Sequence, residues 1–158
     1  MKAEFANPFI RAATEVVASE LKIKLSRKDL ELRSNPEPSM PTFIIIGVTG
    51  HVQGQVVYAM DENFSLEVAK AMLPGKLPAE LRKLEHSAIS ELANMITGKA
   101  SIELAGEKHV IDITPPAIFT AAPSGTSSIP TSSESGEPST SISSFLCHAP
   151  SGQKASSK

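Results

Sequence analysis

The sequence contains no tryptophan, a single tyrosine and a single cysteine, Cys147, in 158 residues. One cysteine excludes an internal disulfide framework and is typical of proteins from a reducing compartment. Aromatic residues make up only 4% of the chain, whereas the hydrophobic fraction as a whole is 41%. A core must therefore rest on Ile, Val, Leu and Ala rather than on large rings, and the length is that of about one domain.

Long apolar runs and clusters of basic residues are also missing. No segment approaches the roughly 18 consecutive apolar residues of a membrane-spanning helix, and the N-terminus has no cationic stretch followed by a long apolar one. The formal net charge is −2 and the lysines and arginines form no basic run, a composition that does not suit nucleic-acid binding. These absences predict a cytoplasmic protein with neither a membrane nor a nucleic acid as partner.

Residues that could bind metal or act as nucleophiles are scattered. The four histidines are His51, His86, His109 and His148. No two of them have the i, i+4 spacing of a helical zinc site, and Cys147 beside His148 is a sequence neighbour rather than a positioned catalytic pair. The glycines at 47, 50 and 54 match neither phosphate-binding pattern and are better explained as turn and close-packing glycines. The sequence therefore predicts no metal ion or cofactor held by this chain.

Two helices are predicted from their end signals and apolar spacing. Asn7 is a candidate N-cap with Pro8 at the first helical position, ahead of an amphipathic segment. Asp61 is a candidate N-cap of the second helix, which Pro74 and Gly75 end.

The strongest strand signal is a hairpin. Residues 42–48 and 52–60 are rich in β-branched side chains and are separated by Thr49-Gly50-His51, which predicts a short glycine-containing loop. Residues 29–33 and 110–113 are candidates for further short strands.

A third, longer helix is predicted from residue 78 to about residue 102, with Gly98 as a candidate kink or interruption. Within it, Ser87, Glu91 and Asn94 recur at i, i+4 and i+7, so Glu91 and Asn94 both lie within roughly 40° of Ser87 on one face. The apolar residues of the opposite face are Ile89, Leu92, Ala93 and Ile96. This spacing by itself favours an ordinary solvent-facing stripe, although one Asn amide offers an acceptor and two donors that can orient a water molecule.

The wider sequence resembles the CheC/CheX/FliY family of bacterial chemotaxis phosphatases. The family signature is Asp or Ser, three residues, Glu, two residues and Asn, and Ser87, Glu91 and Asn94 fill it in register. Three longer segments are also similar to the family: residues 91–98, 46–54 and 116–121. In the last of these, Ala121 departs from the glycine that is usual in the family. The chain carries one signature rather than two, which resembles CheX more than CheC.

This resemblance implies an α/β fold in which long helices pack on an antiparallel sheet. It also implies an enzyme that hydrolyses the aspartyl phosphate of a CheY-like response-regulator receiver domain. The catalytic residues would be Glu91 and Asn94. Asn94 would enter the partner's phosphorylation site and orient the attacking water, and Glu91 would pair with a receiver lysine and fix the docking. Ser87 would contact the partner or support the helix surface. Any Mg²⁺ would belong to the receiver domain, and the protein would be a homodimer.

A non-catalytic function is the alternative. The same helix face could bind a receiver domain, or mediate self-association, without accelerating hydrolysis.

The composition changes sharply after residue 120. Residues 121–158 contain 13 serines with much Thr, Pro and Gly, which predicts a disordered tail after a domain of residues 1–120. The resemblance stops near the same point, where the family continues with further strands. A natural variant with a shortened sheet and a reading frame altered near residue 120 would both account for this change.

Overall fold

Helices on one side of an antiparallel sheet make up the part of the chain that the structure describes. The structure is a computed structural model, and it describes residues 3–26, 40–107 and 109–120. In chain order the elements are α1 (Ala3–Leu21), β1 (Thr42–Gly50), β2 (Gly54–Met60), α2 (Glu62–Met72), α3 (Pro78–Ala105), β3 (Ile111–Ile113) and β4 (Ala117–Thr120). The predicted fold class is confirmed for these residues.

β1 is the central strand of the sheet and runs antiparallel to its neighbours. Residues 42–48 pair with β2, while β4 and then β3 pair with the other side of β1. On that side, residues 46–47 of β1 lie opposite the three residues 114–116, since Ile45 pairs with Ala117 and Val48 with Ile113. The extra residue forms a bulge that contains two prolines, which have no N–H to give to a ladder.

The core lies between the sheet and the helices. Alternate β1 side chains, Ile44, Ile46 and Val48, are almost completely buried and point to the helical layer. The core continues through α1, α2 and α3, whose buried residues include Phe9, Val17, Val68, Ile89 and Ile96. Aliphatic side chains dominate it, as the composition predicts.

The helix ends differ in part from the sequence prediction. Asp61 is the N-cap of α2, and its Oδ1 accepts a hydrogen bond from the Phe64 N–H at 2.7 Å. The prediction of Asn7 as an N-cap is wrong, because α1 begins at Ala3 and Pro8 lies inside it. Ala6 is already buried, so the apolar face that stabilises α1 by packing starts before Pro8. The helix can tolerate proline here because only one backbone bond near its end is lost.

The strands also shift by a few residues. β1 continues to Gly50 because Thr49 and Gly50 pair with β3 after the pairing with β2 has ended. The hairpin loop is therefore residues 51–53 rather than residues 49–51. β4 was not predicted as a strand, and β3 begins at Ile111, one residue later than expected. The candidate strand at residues 29–33 and the tail after residue 120 lie outside the described residues.

Candidate functional site

The long helix α3 is the platform on which the three signature residues stand. It has Pro78 at its first position, and the Glu80 carboxylate accepts a hydrogen bond from the Leu77 N–H at 3.0 Å. Its 28 residues correspond to a rod of about 42 Å. Gly106, with φ of 54°, ends it, a conformation that glycine adopts without steric cost. The predicted kink at Gly98 is not observed, and the helix is continuous through that residue.

One face of α3 is fixed by the core. Ile89, Leu92, Ala93 and Ile96 are each at most 2% exposed, which confirms the apolar side predicted from the spacing. Because that face is held against the sheet and the neighbouring helices, the opposite face must point outward. Ser87 and Glu91 are exposed and Asn94 is half-buried. The structure thus places all three signature residues together on an accessible surface.

The signature side chains are not engaged elsewhere in the fold. In the part of the chain that the structure describes, Ser87, Glu91 and Asn94 make no side-chain hydrogen bond or ion pair. Glu91 and Asn94 are three residues apart, so their side chains are neighbours on the helix surface. A carboxylate acceptor and a carboxamide that both donates and accepts are therefore available side by side to a binding partner.

Two buried hydrogen bonds anchor α3 in the turn that contains Asn94. The Tyr58 hydroxyl on β2 lies 2.8 Å from Thr97 Oγ1, and Thr97 Oγ1 donates to the Ala93 carbonyl at 2.8 Å. Because the single Thr97 proton is used on Ala93, Tyr58 is the donor in its bond with Thr97. Burial raises the pKa of the Tyr58 phenol, while its hydrogen bond with Thr97 acts in the opposite direction. These two hydrogen bonds fix the helix turn that carries Asn94.

The hydrogen bonds that join Tyr58, Thr97 and Ala93 were not predicted from the sequence. Thr97 is a polar residue at a position of α3 that is completely buried, and Tyr58 is the only tyrosine of the chain. A buried polar residue needs a partner, but the sequence does not show that the partner is 39 residues away.

Contacts with α1 and α2 hold α3 from its other sides. The buried Ser65 hydroxyl of α2 bonds to the Glu85 carboxylate, and Arg82 pairs with Glu62 at 3.2 Å. Two ion pairs join α1 to the C-terminal half of α3, namely Arg11 with Glu103 and Glu15 with Lys99. The hydrogen bond and charge of Lys99 lower the pKa of Glu15. These exposed pairs orient the helices more than they stabilise them.

The glycine-rich hairpin has a packing function, as predicted. The Gly47 N–H donates to Thr114 Oγ1 at 2.8 Å, and the Thr114 N–H donates to the Gly47 carbonyl at 2.9 Å. A Cβ at position 47 would lie 2.9 Å from Thr114 Cγ2, too close for an ordinary contact. Gly50 has φ of 110° and its Cβ would lie 2.3 Å from the Val110 carbonyl oxygen. Both glycines allow β1 and the segment after α3 to approach each other.

Other chemistry is sparse in the described residues. Residues 3–26, 40–107 and 109–120 contain no group of three or more His, Cys, Asp or Glu side chains that could hold a metal ion. His51 and His109 stack with ring centroids 3.6 Å apart, a contact that their spacing in the sequence did not indicate. None of the described helices is both long and apolar enough to cross a membrane.

Solved structures share this fold. A CheC-like superfamily protein from Shewanella sp. PV-4 superposes with a TM-score of 0.67 at 24% identity, covering 77% of this chain and 79% of its own. CheX from Borrelia burgdorferi, solved as a CheX–CheY–BeF₃–Mg²⁺ complex, has a TM-score of 0.60 at 23% identity and covers 81% and 84% of the two chains. The helix-on-sheet scaffold is thus the fold of CheC-like proteins.

Sequence similarity then identifies the family. The family model for chemotaxis phosphatase CheX matches residues 42–135. CheY-P phosphatase CheX from Thermotoga maritima is 31% identical over 118 residues, which are 75% of this chain and 76% of the relative. The chain belongs to the CheX family of chemotaxis phosphatases.

Proposed function

We propose that this protein hydrolyses the aspartyl phosphate of a CheY-like receiver domain. The observation that carries the proposal is the unengaged pair of Glu91 and Asn94 on the outer face of α3, in register with the family signature. The relative from Thermotoga maritima is named a CheY-P phosphatase, which supports the same substrate. The proposal extends the activity of that family to this chain and assigns it to these two side chains.

Asn94 is the proposed catalytic residue that orients the attacking water. Its Oδ1 would accept a hydrogen bond from a water molecule and hold it in line with the phosphorus atom, opposite the aspartyl oxygen. The water oxygen forms the new P–O bond, the bond to the aspartyl oxygen breaks, and the water proton leaves to phosphate or solvent. Positioning contributes a large share of phosphoryl-transfer catalysis, so a residue that forms no covalent bond can be essential.

Glu91 is the second proposed catalytic residue, acting through docking, and Ser87 is a proposed partner-binding residue. An exposed carboxylate three residues from Asn94 could pair with a lysine of the receiver domain and so fix the position of the Asn94 amide. Ser87 lies one turn before Glu91 on the same face and would contact the partner at the edge of the surface. Neither residue is assigned a proton-transfer step.

Any Mg²⁺ is expected on the partner. The Borrelia burgdorferi CheX structure contains CheY, BeF₃ and Mg²⁺, and BeF₃ is a chemical stand-in for a phosphoryl group. In the reaction, the cation would neutralise phosphoryl charge on the receiver domain. The residues of this chain would supply the water-orienting amide and the docking carboxylate.

Assembly, domain extent and location belong to the same proposal. We propose a homodimer, a phosphatase domain of residues 1–120 and a cytoplasmic protein, each on the basis of the sequence resemblance and composition. Light scattering of the purified protein tests the first of these directly, since a monomeric mass at assay concentration would contradict it.

Turnover is the test that separates an enzyme from a binding module. The purified protein, in amounts far below stoichiometric, is mixed with phosphorylated CheY-type receiver domains encoded by the same genome and Mg²⁺, and phosphate release is followed. Release faster than the receiver's own autohydrolysis, continuing over many equivalents, is the expected result. Protein that is folded by circular dichroism but accelerates nothing, while still binding the receiver, would identify a non-catalytic module.

A further inference from the structure

Gly98 is a glycine that the fold itself does not require. It lies inside the continuous helix α3, and its φ is not in the left-handed region. Apart from the adjoining residues and the nearby backbone of α3 itself, no atom of the described residues lies within 4 Å of an ideal Cβ built at this position. Gly47 and Gly50 differ in this respect, because a Cβ at either would collide with neighbouring atoms.

A glycine at such a position lowers helix stability. Glycine in a helix interior is less favourable than alanine, because its backbone loses more conformational freedom on folding. The Gly98 carbonyl accepts a hydrogen bond from the Ser101 hydroxyl at 2.8 Å, a contact that any residue at position 98 could make. Neither backbone geometry nor internal packing therefore explains this residue.

The position of Gly98 relative to the signature residues suggests a different explanation. It follows Asn94 by four residues and Glu91 by seven, so it occupies the same face of α3. Side chains on a helix lean toward its N-terminus, and the surface that a residue covers lies over the preceding turn. A side chain at position 98 would therefore lie over the turn that presents Asn94.

The short reach of asparagine makes this space important. The Asn94 amide is separated from the helix backbone by one methylene group, so it can enter a partner's site only if the partner surface comes close to the helix. A side chain at position 98 would stand beside the amide and hold the partner away. Asn94 is half-buried rather than fully exposed, which leaves little margin for such an obstacle.

We propose that Gly98 is a clearance residue, which leaves space for a phosphorylated receiver domain to approach α3 beside Asn94. This inference rests on the proposed function. It adds a residue whose lack of a side chain allows the partner to dock close to α3. It predicts that helix stability and partner binding change in opposite directions when a side chain is added at position 98.

The test is a series of side chains of increasing size at position 98. Gly98→Ala and Gly98→Gln are compared with wild type, and Ala71→Gln, at an exposed position of α2, is the matched control for adding the same side chain to a helix surface. Thermal unfolding gives Tm. Binding is measured with BeF₃-activated CheY-type receiver domain and Mg²⁺, and steady-state turnover gives KM and kcat.

Gly98→Ala is expected to raise Tm by about 2–4 °C, since alanine is the better helix former. The same variant is expected to weaken receiver binding and raise KM by about five- to a hundred-fold, because the added methyl group would be forced into the closely packed contact between α3 and the receiver domain. Gly98→Gln should weaken binding further, whereas Ala71→Gln should leave binding and turnover unchanged.

Three results would overturn the inference in distinguishable ways. Wild-type binding by both Gly98 variants would show that the partner does not approach this turn, while the proposed function would stand. A lower Tm for Gly98→Ala would show that the fold requires the glycine. Wild-type protein that neither binds nor dephosphorylates the receiver would remove the proposed function and this inference together.

Discussion

The hydrogen bond between Tyr58 and Thr97 is expected to contribute measurably to stability, because both residues are buried. Tyr58 is 2% exposed and Thr97 is fully buried, so water cannot replace a lost partner. Thr97→Val keeps the shape of the side chain but removes the acceptor of the Tyr58 hydroxyl. The loss of this buried bond, together with the Thr97 bond to the Ala93 carbonyl, should lower the free energy of unfolding by about 1–3 kcal/mol.

Tyr58→Phe is the matched change on the other side of the bond. It should lower the free energy of unfolding by about 0.5–1.5 kcal/mol, because Thr97 keeps its bond to the Ala93 carbonyl. Each single change removes the bond between Tyr58 and Thr97, and the double variant loses that bond only once. The loss should therefore be smaller than the sum of the two single losses, by about 0.5–2 kcal/mol.

Urea unfolding of wild type, the two single variants and the double variant measures this coupling. Each free energy is extrapolated to water, and the m-values show whether the unfolding transition is unchanged. Strictly additive losses would refute the reasoning, since they would mean that the two hydroxyls stabilise the fold independently. The coupling would then not explain how the Asn94 turn is held against β2.

Three further outcomes are expected. Gly47→Ala should lower the free energy of unfolding by about 1–3 kcal/mol, because its Cβ would press on the Thr114 side chain; unchanged stability in urea would show that the bulge adapts freely. Because burial raises the pKa of Tyr58, the unfolded chain ionises first, so stability should be full below the ordinary tyrosine pKa of about 10 and fall as the pH rises above it. Tyr58→Phe should flatten that fall in a pH series of unfolding curves, and an identical slope would contradict the assignment. Glu91→Ala should weaken receiver binding and turnover together, whereas Glu67→Ala on α2 should affect neither.

Predictions from local patterns agree best with the structure where one physical signal dominates. The Asp61 cap and the buried face of α3 follow from side-chain chemistry and helical period, and both are observed. The outward position of Ser87, Glu91 and Asn94 follows from the same period. Their proposed functions rest on the family resemblance, since spacing alone also describes an ordinary solvent face.

The differences arise where distant contacts override local signals. Pro8 is a strong helix-start signal, yet burial of Ala6 extends α1 beyond it. Gly50 is typical of a hairpin loop, yet its pairing with Ile111 keeps it in β1. β4 is four residues long and follows two prolines, so only its pairing with β1 identifies it as a strand.

The central claim is that the Asn94 amide performs the chemistry while the surrounding surface provides the binding. The most direct measurement compares wild type and Asn94→Ala for phosphate release from excess phosphorylated receiver domain, and for affinity toward the BeF₃-activated domain. The account predicts that Asn94→Ala loses the acceleration while keeping most of its affinity. A variant that still accelerates release like wild type, or that loses binding and turnover in equal proportion, would contradict it.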